Sequence, residues 1–291
     1  MILTRQAFIL VIIATYILFY LASGAYAAAA ACALVHLARP APQLLTWAHG
    51  LALAGSGGIA AAFTVRWVHW GQLPLTTLTD TLSLFTLLAA LTMVLTTWTQ
   101  CARGLLTFYL PALGLVALIN AAAAPAYLHT EPMRLQGVLL FAHVGSAFLA
   151  YALFFVACVT SAAYVFQAEH LKRRQTTGLF QRLPSLEDLD RILYRLIGVG
   201  YPLFVATLLL GLFWAWADRE LLGPRWWLAP KILTALLMAL FYGVTFHGRR
   251  FGFLRGRKLA YVVAAGFAVL LGAYVLLALL GLRTHNFWES A

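Results

Sequence analysis

Eight histidines carry most of the chemical potential of this sequence: His36, His49, His69, His129, His143, His170, His247 and His285. A neutral imidazole ligates iron well and moves protons near neutral pH. Little else would support a reaction. The sequence has no Ser-His-Asp arrangement, no phosphate-cradling glycine loop, no His-Glu-x-x-His and no carboxylate pair placed for acid–base work. Cys32, Cys101 and Cys158 stand alone, with neither the Cys-x-x-Cys of thiol redox or zinc sites nor the Cys-x-x-Cys-His that attaches haem covalently. Binding, delivery or regulation is therefore expected, rather than catalysis.

What the histidines can do depends on the elements that carry them. The 291 residues are 63% hydrophobic and 10% charged, with mean hydropathy +0.86. A soluble domain carries about a quarter charged residues. Long apolar runs recur along the whole chain, without the short alternating segments of an outer-membrane barrel. The pattern predicts an all-α, polytopic membrane bundle of about eight transmembrane helices forming a single integral-membrane domain over 1–291. The predicted spans are 7–36, 44–65, 80–99, 105–124, 135–166, 191–215, 230–247 and 259–281. The first passes for a signal peptide with an Ala-Tyr-Ala site, but its apolar run is long enough to span, so a retained helix is expected.

The net charge of +11 is concentrated between the apolar runs. There it sets orientation and meets anionic lipid, so lipid bilayer and not nucleic acid is the expected partner. Thirteen of the 20 basic residues fall on one side of the predicted topology, including the runs 172–174 and 249–258. The positive-inside rule makes that side cytoplasmic and sends both termini outward. A bacterial plasma (inner) membrane is the expected location. Ser185 and Asp188 fit a capping box at the start of the sixth span. Asp80 would cap the third span or pair with Arg66, and Pro111, Pro125 and Pro202 would kink or end spans.

This topology sorts the histidines by depth. His143 lies about 12 Å inside the outer end of span five at 1.5 Å per residue, and His285 follows span eight on the same side. His247 closes span seven about 25 Å from its outer start, and His49 lies near the cytoplasmic end of span two. Haem iron takes axial ligands from both faces of its ring. His143 with His285 would bracket one haem, and His49 with His247 would mark an inner station. The depth gap forbids mixed pairs. A membrane histidine also serves simply to hydrogen-bond a neighbouring helix, and spacing does not choose between these uses.

Between spans six and seven lies "LLGPRWWLAPKIL", 221–233. Haem presents an apolar ring and two propionates. Trp226 and Trp227 offer aromatic faces, and Arg225 offers a cation. An interfacial aromatic belt would use the same residues. Arg66, Arg134 and Arg283, predicted on the same side, would meet propionates or anchor in lipid.

Several segments, taken in order, resemble the CcsA/CcmC-type cytochrome c assembly family, including its YpjD/HemX-like branch, over about 45–288. "RWVHWGQLPLTTLTDTL" (66–82) is similar to the family's Arg-Trp segment. "LLFAHVGSAFLAYALFFVACVTSAAYVFQAEHLKRR" (139–174) is similar to the helix bearing the first external haem-ligand histidine, which implies that role for His143. "FYGVTFHGRRFGFLRGRKLAYVVAAGF" (241–267) resembles the segment with the membrane-embedded histidine, here His247. "GLRTHNFW" (281–288) stands where the second external histidine is found, which implies His285. The family's outward Trp-Gly-x-x-Trp-x-Trp-Asp-Pro-Lys is reduced to Gly223, Trp226, Pro230 and Lys231, with Leu222, Leu228 and Ala229 replacing two tryptophans and the aspartate. The resemblance implies non-covalent haem b, transfer toward apocytochrome c and a ResB/CcsB-like membrane partner with a large external domain. The reduced tryptophan motif points instead to the YpjD/HemX branch, as a scaffold regulating tetrapyrrole synthesis or another complex through the basic segment 167–184. The retained C-terminal histidine points back to CcsA.

Overall fold

The computed structural model describes residues 2–70, 75, 78–98, 100–124, 138–174, 178–217, 219 and 225–279. Among them the chain forms eight α-helices and no strand: α1 (Ile2–Ala38), α2 (Pro42–Trp70), α3 (Leu78–Thr96), α4 (Leu106–Ala123), α5 (Val138–Lys172), α6 (Leu186–Ala217), α7 (Pro230–Arg250) and α8 (Arg257–Leu279). Seven of these, α1 to α7, are long and apolar enough to cross a membrane. The fold is the expected polytopic bundle, and α8 occupies the place of the eighth predicted span. Helix ends follow local chemistry. Ser185 immediately precedes α6, whose first turn carries Glu187 and Asp188, and Pro230 opens α7 at a position where its missing N–H costs nothing.

The packing divides into two compact units. The first contains residues 1–137 and 170–185; the second contains 138–169 and 186–291. Within the first, α1 packs on α2 and α4, and α3 on α4. Small residues permit close approach. Gly58 lies against Ala22, and Gly114 lies against Ala30 and the Tyr26 backbone. Tyr26, deeply buried, exchanges a 2.9 Å hydrogen bond with Ser56. His36, also buried, bonds the turn into α2 through Ala41. The 3-10 turn Gln100–Leu105 is pinned by Gly104, whose Cα abuts the Arg182 carbonyl so closely that no side chain fits.

The second unit is organised by aromatic rings. Phe154 of α5 stacks on Tyr242 of α7 with centroids 3.6 Å apart, and meets Phe204 of α6 edge-on at 5.9 Å. Phe155 meets Phe267 of α8. At the basic end, a tight turn joins α7 to α8. Gly252 (φ +85°) and Gly256 (φ +58°) take left-handed conformations that glycine adopts freely. Asp190 accepts from the Arg249 guanidinium and from the Gly256 N–H, and Arg257 pairs with Glu169 at 2.6 Å.

Arg66 and Asp80 form a buried ion pair in the first unit, with 4% and 2% of their surfaces exposed. Of the expected roles for Asp80, pairing with Arg66 holds. The expectation that Arg66 anchors in lipid does not: a guanidinium beside a carboxylate is better served inside the helices than at their rim. Removing one partner leaves a buried charge unpaired. Asp80→Leu should destabilise the protein by about 3–5 kcal/mol, and Arg66→Met with Asp80→Leu should recover most of that loss, as read by thermal unfolding in detergent.

Candidate functional site

His143 sits in the second turn of α5, half-buried, with its ring laid against α6. Its Nδ1 lies 2.9 Å from the Thr207 carbonyl oxygen. A carbonyl can only accept, so Nδ1 carries the hydrogen and Nε2 holds the lone pair of the neutral ring. This is the tautomer in which metal-ligating histidines are usually held, with one nitrogen donating to a carbonyl and the other facing the metal.

Two features of α6 create this arrangement. Gly211 clears the space: a Cβ there would lie 2.6 Å from His143 Cε1 and within 3.4 Å of both ring nitrogens. In a regular helix the residue-207 carbonyl takes the N–H of residue 211, and its second lone pair serves the imidazole. Beside it, the Thr207 hydroxyl donates to Ser146 Oγ at 2.7 Å, and Ser146 donates to the Ala142 carbonyl at 2.6 Å. Two hydrogen bonds thus cross between α5 and α6 within a turn of His143, and the one to its Nδ1 orients the ring.

The other expected ligands are placed as follows. His285 lies outside the described residues, as do His129, Arg134, Arg283, Leu222, Gly223 and the side chain of Lys231. His247 ends α7 with an exposed ring in the second unit. Aromatic rings surround it: Phe246 at 5.1 Å, Phe251 at 6.1 Å nearly parallel, and Tyr201 of α6 at 6.2 Å edge-on. Tyr201 reaches this position because its hydroxyl lies over Gly243, where a Cβ would stand 2.8 Å away. His49 belongs to the first unit, where it lines an apolar crevice with Ala90 and Met93 of α3 and Leu110 of α4. His49 and His247 thus have separate settings, one aliphatic and one aromatic.

Trp226 and Trp227 form a single 3-10 turn, Trp226–Leu228, directly before α7. The Leu228 and Ala229 amides donate back to Arg225 and Trp226, which ties the turn to the helix start. Trp226 is half-buried, while Trp227 and Arg225 are exposed. No group of three or more His, Cys, Asp or Glu suited to a metal ion occurs among the described residues.

Residues 61–285 match the family described as Cytochrome C assembly protein. The chain belongs to this family. Protein HemX of Brevibacillus brevis is similar to this chain, 29% identical over 191 residues, 65% of this chain and 68% of the relative. Protein HemX of Bacillus subtilis (strain 168) is 32% identical over 144 residues, 50% of this chain and 51% of that one. Cytochrome c biogenesis protein CcsA of Microcystis aeruginosa is 37% identical over 107 residues, 37% and 32% of the two chains. The chain therefore spans about half of the second relative and a third of the third.

Sequence reasoning located His143 but missed Thr207, Gly211 and Ser146, which hold it, and Tyr201, which packs on His247. The available signal was the Thr207–Gly211 spacing of four, which puts two small residues on one face of α6. Gly211→Ala should displace the imidazole from the Thr207 carbonyl at a cost of about 1–3 kcal/mol. In labelled protein the slowly exchanging Nδ1–H resonance of His143 should disappear while overall helicity is unchanged.

Proposed function

We propose that this protein handles haem b non-covalently within cytochrome c biogenesis, with His143 and His285 as the residues that would hold its iron. The observation that carries this reading is the hydrogen bond from His143 Nδ1 to the Thr207 carbonyl, with Gly211 cleared for the ring. The glycine beside the ring and the second cross-helix bond hold the imidazole in a single orientation, which is what a ligand requires. Membership of the cytochrome c assembly family supports the same chemistry.

In this reading Thr207 orients His143 and raises the basicity of Nε2. Trp226 and Trp227 offer faces to the porphyrin edge and Arg225 a cation to a propionate. His247, in its aromatic setting at the cytoplasmic end of α7, would mark a second, inner station. Haem supplies an iron that cycles between ferric and ferrous states; this chain supplies ligands, orientation and exclusion of water. With its orientation predicted from charge, the His143 end faces outward from a bacterial plasma membrane, where apocytochrome c and a ResB/CcsB-like partner would be met. Haem delivery and its regulation, rather than catalysis, follow from this ligand set.

Protein purified from haem-replete cells should show a Soret band. His143→Gly with His285→Gly should abolish most of it, and added imidazole should restore it. A band unchanged by the double substitution would sink the proposal.

A second reading has support from the HemX relatives, which match a larger share of this chain than the CcsA relative. The protein would then regulate a partner through the exposed side chains of Lys172, Arg173 and Arg174, which close α5. Replacing all three with glutamine separates the readings. Haem handling predicts full activity, whereas regulation predicts loss of function with the Soret band intact.

A further inference from the structure

We propose that a single buried water is a fixed part of this protein, held in the first unit by the Arg66 guanidinium and the hydroxyls of Thr15 and Ser83. These three side chains line one small cavity among α1, α2 and α3, whose apolar wall includes Phe19, Ile59 and Phe63. The cavity has a volume of about 20 Å³, enough for one water and too little for an organic head group.

Two buried polar groups on different helices line it without partners among the described residues. One arm of the Arg66 guanidinium is engaged by Asp80, but its Nη2 is buried and unbonded. Thr15, 3% exposed, leaves Oγ1 unbonded too. That is unusual here, because the hydroxyls of Ser23, Ser56, Thr86, Thr92 and Thr160 all donate to the carbonyl four residues back. Thr15 has the same option available along α1 and does not take it. Ser83 accepts a 2.9 Å hydrogen bond from Asn120 Nδ2 and keeps its own hydrogen to give. Left unpaired in an apolar medium, each of these groups is costly. No side chain closes the gap between them, and a water can. It takes the Arg66 N–H on one lone pair and exchanges hydrogen bonds with the two hydroxyls, the three partners typical of a buried water.

Charge excludes the other occupants of this size. Arg66 and Asp80 together are neutral. A halide would shed its hydration only to face the Asp80 charge across a low dielectric, and a metal cation would face the guanidinium. Water carries no charge and both gives and takes hydrogen bonds. This is not solvent, which the bilayer excludes, but a molecule enclosed as the helices pack. Two consequences follow from it. Both arms of the Arg66 guanidinium are occupied inside the bundle, so neither is left for a haem propionate. The first helix, α1, gains a polar tie to α2 and α3. The inference does not depend on haem binding.

The test uses the full chain in phospholipid nanodiscs. A density map fine enough to show ordered water should have one peak within hydrogen-bonding distance of Arg66 Nη2, Thr15 Oγ1 and Ser83 Oγ. Thr15→Val, isosteric and lacking the hydroxyl, asks the same question through the sign of its effect. With the water in place it removes a hydrogen bond and should lower the melting temperature by about 2–4 °C. If the hydroxyl were truly unpaired, a methyl in its place would raise the melting temperature instead. The loss should also depend on Arg66. In the background of Arg66→Met with Asp80→Leu, which has no guanidinium to hold the water, Thr15→Val should no longer lower the melting temperature. The proposal is overturned by a map without a peak at this position, by a melting temperature that Thr15→Val leaves unchanged or raises in the otherwise native chain, or by an equal loss in both backgrounds.

Discussion

A polar group inside a bilayer cannot turn to bulk water, so its partner has to come from within the bundle. That constraint governs this protein. It accounts for the serine and threonine hydroxyls that fold back onto their own helices, for Arg66 meeting Asp80 between α2 and α3, and for Tyr26 meeting Ser56 between α1 and α2. At His143 the same constraint produces something more specific. The imidazole must spend one nitrogen on the Thr207 carbonyl, and in doing so it fixes which nitrogen keeps its lone pair. Satisfying the carbonyl and fixing the tautomer are here a single act.

Glycine is the means by which such contacts become possible. Gly211 admits the His143 ring, Gly243 admits Tyr201 beside His247, and Gly114 admits Ala30 and the Tyr26 backbone. Where helices meet through rings instead, as at Phe154 and Tyr242, stacked faces set the separation. The second unit combines both devices, with an aromatic centre, one glycine notch facing His143 and another facing Tyr201 beside His247. His143 and His247 are both carried on helix rather than on loop, which favours a reproducible ring position.

Much of this was legible in the sequence because hydrophobicity speaks directly of spans. The eight predicted helices, the start of α6 after Ser185 and the Arg66–Asp80 pair all follow from apolar run length, capping chemistry and charge. The histidines could be ranked by depth because rise per residue is fixed. What escaped was lateral: which helix face meets which. The helices are apolar nearly all round, so periodicity does not identify the face that opposes α5, and nothing marks Thr207 as an acceptor through its backbone. The division into two units was equally hidden, since the chain leaves the first unit at 137, re-enters it for 170–185 and leaves again. For Trp226 and Trp227 the local turn could not be read from types alone, as Pro230 and the returning amides of Leu228 and Ala229 set it.

The connection between α7 and α8 is held at its ends rather than along its middle. Asp190 takes both the Arg249 side chain and the Gly256 amide, and Glu169 takes Arg257, while Phe251 and Phe253 between them stand exposed. A loop clamped in this way is metrically fixed but chemically permissive. Evolution is free to rewrite its exposed side chains, whereas adding or deleting a single residue would pull the clamp apart and drag the end of the His247 helix with it.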